Sequence, residues 1–217
     1  MAIFMAFLGV RGDMRDRNMR NCNYWVFDDY DMEEMYARIA RGETLARCAY
    51  ITSASLKDLG TAGHAPAGVT SLEIMTILPG HASAWGISPE ALASGSYRQD
   101  GAYLEKKRRV EDQLIETLDR VFPGSAADIC FRESATPVTH SRYTRATDGT
   151  GYGIAATPEQ FMGNRPGYRL PIEGGYLAGA STRAGHGIVG AMISGVNVAK
   201  RVARDMGRPL ESDGVGG

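Results

Sequence analysis

The sequence predicts an α+β fold: a mainly antiparallel sheet with covering helices, followed by a separate strand–turn–helix. Three observations predict it. Two β-rich segments, Ala49-Tyr-Ile-Thr-Ser-Ala54 and Val69-Thr-Ser-Leu-Glu-Ile-Met-Thr-Ile-Leu78, follow one another with no helical pattern between them. That order favours antiparallel pairing over a βαβ unit. A helical period fills Asp100 to Phe122. Near the C-terminus, Gly175 to Gly195 runs from a short apolar stretch through a glycine-rich turn into a second helical pattern.

The elements follow in chain order. Met1-Ala-Ile-Phe-Met-Ala-Phe-Leu-Gly-Val10 is apolar but too short to span a bilayer, and it lacks the basic flank and cleavage site of a signal peptide. It reads as a buried strand. Gly9 to Asn23, rich in Arg, Asp and Asn, reads as a solvated loop. Tyr24, Trp25 and Phe27 read as a strand with aromatic core residues, or as the lining of a channel for an extended apolar molecule. Asp31 and Glu34 have capping-box spacing ahead of a helix over Met32–Arg41, which Gly42 stops. Gly60, Gly63 and Gly68 connect the two β-rich segments, and Pro79-Gly80 ends the second. In the long helix Tyr103, Val110, Leu114, Leu118 and Val121 share one face, and Pro123-Gly124 terminates it. Ala127–Glu133 alternates as a strand. Thr136 to Gly175, dense in Gly, Pro and Thr, reads as a functional loop.

Composition narrows the function classes. The formal net charge is −1, and the one basic cluster, Lys106-Lys-Arg-Arg109, is followed by Glu111, Asp112 and Glu116. This is a solvated helix face, so nucleic acid is not an expected partner, while peripheral membrane contact stays open. Cys22, Cys48 and Cys130 form no CxxC pair, and the 4 His supply no zinc-type spacing. No metal is expected, and a reduced, cytoplasmic compartment is the simplest home. Gly179-Ala-Ser-Thr-Arg183 fails the hydrolase elbow, because Arg183 replaces its final glycine.

The most informative segment is Gly175-Gly-Tyr-Leu-Ala-Gly179-Ala-Ser-Thr-Arg-Ala-Gly185-His-Gly187-Ile-Val-Gly190. A helix that begins this way exposes its first backbone N–H groups and the positive end of its dipole, and glycines admit a ligand to the backbone. Gly185-His-Gly187-Ile-Val-Gly190 matches G-x-G-x-x-G, but Ser181-Thr-Arg-Ala184 separates it from the apolar stretch. Glu211, at roughly the right offset for a ribose ligand, follows Pro209 in a polar tail rather than a second strand. Helix–sheet packing and a turn that closes a cofactor site from its far side are the readings that remain.

This segment resembles the C-terminal flavin-binding signature of the phytoene desaturase, carotenoid isomerase and retinol saturase family of FAD-dependent oxidoreductases. Asn23-Tyr-Trp-Val-Phe-Asp28, Thr52-Ser-Ala-Ser-Leu-Lys-Asp58, Ala65-Pro-Ala-Gly68, Thr136-Pro-Val-Thr-His-Ser-Arg-Tyr-Thr144 and Gly149-Thr-Gly-Tyr-Gly153 agree in order and spacing, from about Phe4 to Val202. The resemblance implies residues 1–160 as a partial substrate-binding domain, 161–207 as the C-terminal segment of an FAD-binding domain, and 208–217 as a polar tail. It implies FAD as cofactor, with Gly179 and Ala180 near the ribityl chain and the backbone around Gly185, His186, Gly187, Ile188, Val189 and Gly190 at the ring. Ala180 offers no side-chain oxygen to ribityl hydroxyls. Thr136 and Tyr152 would line the substrate pocket. His186 is a general base or, more simply, a positioning residue, and no residue is assigned as catalytic.

The family's N-terminal ADP-binding fingerprint has no counterpart here. The chain reads as a C-terminal portion of a larger enzyme for hydrophobic, carotenoid- or retinoid-like substrates: a truncated frame, a fragment or half of a split protein. Its rival is a non-catalytic remnant or binding module that needs an N-terminal partner chain or a homo-oligomer, since a strand at Tyr176–Ala178 would lack sheet neighbours.

Overall fold

The computed structural model describes residues 2–60, 63–155 and 157–208, without the side chain of Met162. Glu211 and nearly all of the tail from 208 lie outside the described residues. The chain divides into two compact units, Met1–Gly151 and Tyr152–Gly217, where sequence reading had put the boundary at 160/161.

The first unit is built on five strands: β1 (Ala2–Arg11), β2 (Tyr24–Phe27), β3 (Cys48–Thr52), β4 (Val69–Leu78) and β5 (Ile129–Ala135). Their order is β2-β3-β4-β1-β5, and every neighbouring pair is antiparallel. The predicted α+β class and antiparallel sheet are therefore observed. Alternation fixes the register, because a slip of one residue would turn each buried face outward. In β1 Ala2, Phe4, Ala6, Leu8 and Val10 are buried; in β4 Leu72, Ile74 and Leu78 are. Leu8 stands opposite Leu72 and Ala6 opposite Ile74.

Among the described residues five α-helices accompany this sheet: α1 (Met32–Ala40), α2 (Ala54–Lys57), α3 (Pro89–Ser94), α4 (Gly101–Val121) and α5 (Pro137–Thr144). Asp100 caps α4 by accepting from the Tyr103 N–H at 2.8 Å. Its apolar stripe, Tyr103, Val110, Leu114 and Leu118, is buried in the cluster that contains Phe4, Leu8, Leu72 and Ile74. Each fully buried aliphatic side chain is worth about 1.5–3 kcal/mol, so this one face supplies much of the unit's stability. Helix α1, capped by Asp31 as its sequence predicts, packs Met35 and Ile39 with Cys48 and Ile77.

Five segments depart from the sequence reading, the first being the short helix α2 that stands between β3 and β4, where no helix is expected. The Arg- and Asp-rich stretch after Gly9 is not simply a solvated loop: β1 continues to Arg11, and Met14 and Met19 are fully buried beyond it. Thr136–Gly175 is not wholly irregular, since α5 begins at Pro137 with Thr136 as N-cap. On β2, Tyr24 packs edge-on against Phe122 at 5.0 Å, but Trp25 and Phe27 face outward at 62% and 43% exposure. They are not core residues. Tyr176–Ala178 forms no strand, only an isolated bridge between Arg169 and Tyr176.

The second unit carries one long helix, α6 (Gly187–Asp205). The chain before it is held by turns: Leu170 donates to Gly175, Leu177 to Tyr168 and Arg183 to Pro166. At the far end of α6, Asp205 accepts from the Tyr176 hydroxyl at 2.6 Å and pairs with Arg169. Those two partners hold the Asp205 carboxyl below its ordinary range. Among the described residues no helix is long and apolar enough to cross a membrane.

Candidate functional site

The start of α6 is shaped by four glycines with different jobs. Gly179, Gly185 and Gly187 adopt φ of 103°, 88° and 82°, a region that side chains disfavour. A Cβ on any of the three would meet nothing within 4 Å, so they leave an open backbone surface. Gly190 is required for the opposite reason. A Cβ there would stand 2.7 Å from the Gly185 carbonyl oxygen, so the turn can lie against α6 only if that position is bare.

His186 is the N-cap of α6 but contributes no side-chain hydrogen bond to it. The first-turn N–H groups therefore keep their donor capacity, and the positive end of a 19-residue helix is uncovered there. His186, Gly187, Ile188 and Val189 are all exposed. The His186 ring lies 4.7 Å from the ring of Tyr152, centroid to centroid, so the structure brings together two of the residues singled out in sequence. Thr136 belongs to the first unit. It is fully buried, its hydroxyl caps α5 and lies 2.9 Å from the Tyr103 hydroxyl, and burial pushes that phenol upward.

What holds the turn in place was not visible in the sequence. Arg165 is 3% exposed. Its guanidinium donates to the carbonyls of Ala180 at 2.8 Å, Thr182 at 3.1 Å, Ile154 at 3.3 Å and Gln160 at 3.3 Å. Among the described residues no carboxylate pairs with it. A second clip ties the turn to α6: the Gly179 N–H donates to Ser194 Oγ at 2.8 Å, and Thr182 Oγ1 lies 2.9 Å from both Ser194 Oγ and the Gly179 carbonyl. Gly153 packs so closely on Ser181 that a Cβ would fall 2.4 Å from its hydroxyl.

The arrangement is chemically an acceptor-seeking cradle: bare glycine backbone, free N–H donors and a helix dipole, backed by a buried cation. Such a cradle suits an electron-rich or anionic group, and Ala180 adds only a methyl group to it. Among the described residues no cluster of His, Cys, Asp and Glu is arranged to hold a metal ion. The first unit presents its own open groove of about 490 Å³, lined by Phe7, Val69, Leu72 and Phe131 with His64 and Glu73. On the same sheet, exposed Trp25 stacks with Phe27 at 6.3 Å and meets Tyr50 edge-on at 4.8 Å.

No family model matches the chain. Individual proteins do. It is 39% identical over 113 residues to the chloroplastic prolycopene isomerase of Daucus carota, a match covering 51% of this chain and 18% of that protein. The corresponding protein of Arabidopsis thaliana is 38% identical over 113 residues, covering 51% and 19%. Pyridine nucleotide-disulfide oxidoreductase domain-containing protein 2 of Mus musculus is 28% identical over 124 residues, covering 55% and 20%. The chain thus spans about a fifth of the length of the curated relatives it matches. Over about half of its own length it is a homologue of prolycopene isomerases and of a pyridine nucleotide-disulfide oxidoreductase domain protein, in keeping with a C-terminal portion of an FAD-dependent oxidoreductase.

Proposed function

We propose that this chain is the flavin-closing and substrate-facing portion of an FAD-dependent oxidoreductase acting on carbon–carbon double bonds of a hydrophobic, carotenoid- or retinoid-like molecule. One observation carries the reading: the uncapped, glycine-lined start of α6 lies in the segment that resembles the family's flavin signature. Bound FAD would supply hydride chemistry at its ring. The chain's own part is to bind and orient. N–H groups around Gly187, Ile188 and Val189 would stabilise negative charge at the ring, and the helix dipole would add to them. Gly179 and Ala180 would border the ribityl chain. The His186–Tyr152 pair would cover one side of the turn and limit water there. The apolar groove around Phe7 and Phe131 and the outward Trp25 and Phe27 suit a long unsaturated substrate.

A second reading is a non-catalytic remnant or binding module that needs a partner chain. It is favoured by five exposed apolar residues along α6: Ile188, Val189, Met192, Ile193 and Val196. An N-terminal partner chain or a second copy would cover that stripe. Nucleic acid is not proposed as a partner, and a cytoplasmic location, with or without peripheral membrane contact, remains a proposal beside plant relatives that are chloroplastic by name.

Absorbance between about 350 and 500 nm, the flavin window, decides between the readings. The purified chain alone is expected to be colourless, with weak binding of added FAD. Stoichiometric flavin carried through purification would show that the turn suffices for a site. Failure to bind even saturating FAD would leave the partner-dependent module.

A further inference from the structure

We infer that Arg165 is the positioning residue of the glycine turn, and that its charge serves the flavin there; the inference rests on the flavin reading. A buried guanidinium is costly unless its N–H groups are satisfied. Here bonds to four carbonyls occupy four of its five N–H groups, and among the described residues no carboxylate pairs with it. The four carbonyls are not random. Ala180 and Thr182 bracket the middle of the turn, Ile154 follows the stretch that holds Tyr152, and Gln160 anchors the intervening chain. One side chain thereby ties both walls of the turn to each other.

Only arginine can do this. Its planar fork has five N–H donors in fixed directions, while lysine offers three from one point. The fan of acceptors around Arg165 therefore needs the shape of the group as well as its charge. The charge also has a use. With no carboxylate partner among the described residues, its charge stays uncompensated at the turn carbonyls of Ala180 and Thr182, in the segment that leads into the start of α6. Reduction of a bound flavin builds negative charge at the ring, so the buried cation favours the reduced state.

Three proteins test this: the wild type, Arg165→Lys and Arg165→Met. In the flavin-free wild type the Arg165 Nε–H should give a resolved NMR signal that exchanges slowly with water. Hydrogen exchange at Gly179–Gly187 should then rise about tenfold in both variants, with no rescue by lysine. Titration with FAD should show about tenfold weaker binding in both. The midpoint potential of the bound flavin should fall in Arg165→Met and recover in part in Arg165→Lys, which a purely structural role would not produce. An Nε–H that exchanges as fast as those of exposed arginines overturns the inference, even if the variants fail to fold. So does wild-type exchange at the turn in Arg165→Lys. A wild type that takes up no FAD sinks the flavin reading instead, and the exchange measurements still decide whether Arg165 positions the turn.

Discussion

Gly190 and Gly195 lie little more than a turn apart on α6, and the same substitution should have opposite effects at the two. At Gly190 a methyl group would meet the Gly185 carbonyl at 2.7 Å, and both atoms belong to or adjoin backbone that cannot swing aside. Gly190→Ala should push the turn off the helix and cost about 1–3 kcal/mol, the usual range for overpacking. At Gly195 nothing lies within 4 Å of an added Cβ. Gly195→Ala should gain up to about 1 kcal/mol from helix propensity. Paired chemical denaturation measures both, and equal effects would show that the turn does not rest on α6. The glycines were conspicuous in the sequence, but their roles were not. Which glycine is open and which is crowded depends on the path of the turn. Arg165 was less legible still, because an arginine facing carbonyls looks in sequence like an arginine facing water.

At the scale of elements, strong periodicity was readable and short helices were not. The period-2 alternation of β4 and the stripe of α4 emerged where expected, since each has one wet and one dry face to declare. Helix α5 did not, although Thr136, Pro137 and Thr139 form a capping box with proline in the first turn; eight residues with little apolar patterning give no stripe. The outward turn of Trp25 and Phe27 was hidden for another reason: β2 is an edge strand of four residues, too short for its alternation to show which face is buried. Thr136 shows how tightly these elements are joined. Its hydroxyl caps α5 and touches the buried Tyr103 hydroxyl of α4. Thr136→Val should therefore cost about 2 kcal/mol, combining a lost cap with an unpaired buried phenol. Thr136→Ser should restore most of it. A valine variant as stable as the wild type in urea would mean that neither contact matters to the fold.

The largest unsettled force acts on the molecule as a whole. Soluble monomers seldom leave a contiguous apolar stripe open along a helix, yet α6 exposes Ile188 at 82%, Val189 at 69% and Met192 at 67%. The opposite side of the same helix is committed to its own unit, with Gly190 and Ser194 buried. A helix apolar on more than one side is the pattern of an element meant to be covered from both. Sequence reading located the need for a partner in an unpaired strand at Tyr176–Ala178. The structure forms no strand there, and the exposed apolar surface lies on the helix instead. The proposed partner or second copy should therefore seat on α6. Light scattering of the purified chain should report a mass above the 23.4 kDa of one copy. The double substitution Met192→Glu and Val196→Glu should return it toward the monomer, while leaving the first unit's melting unchanged. A wild type that stays monodisperse and monomeric at high concentration would remove this reason for a partner, and the exposed stripe would then need an explanation inside the second unit itself.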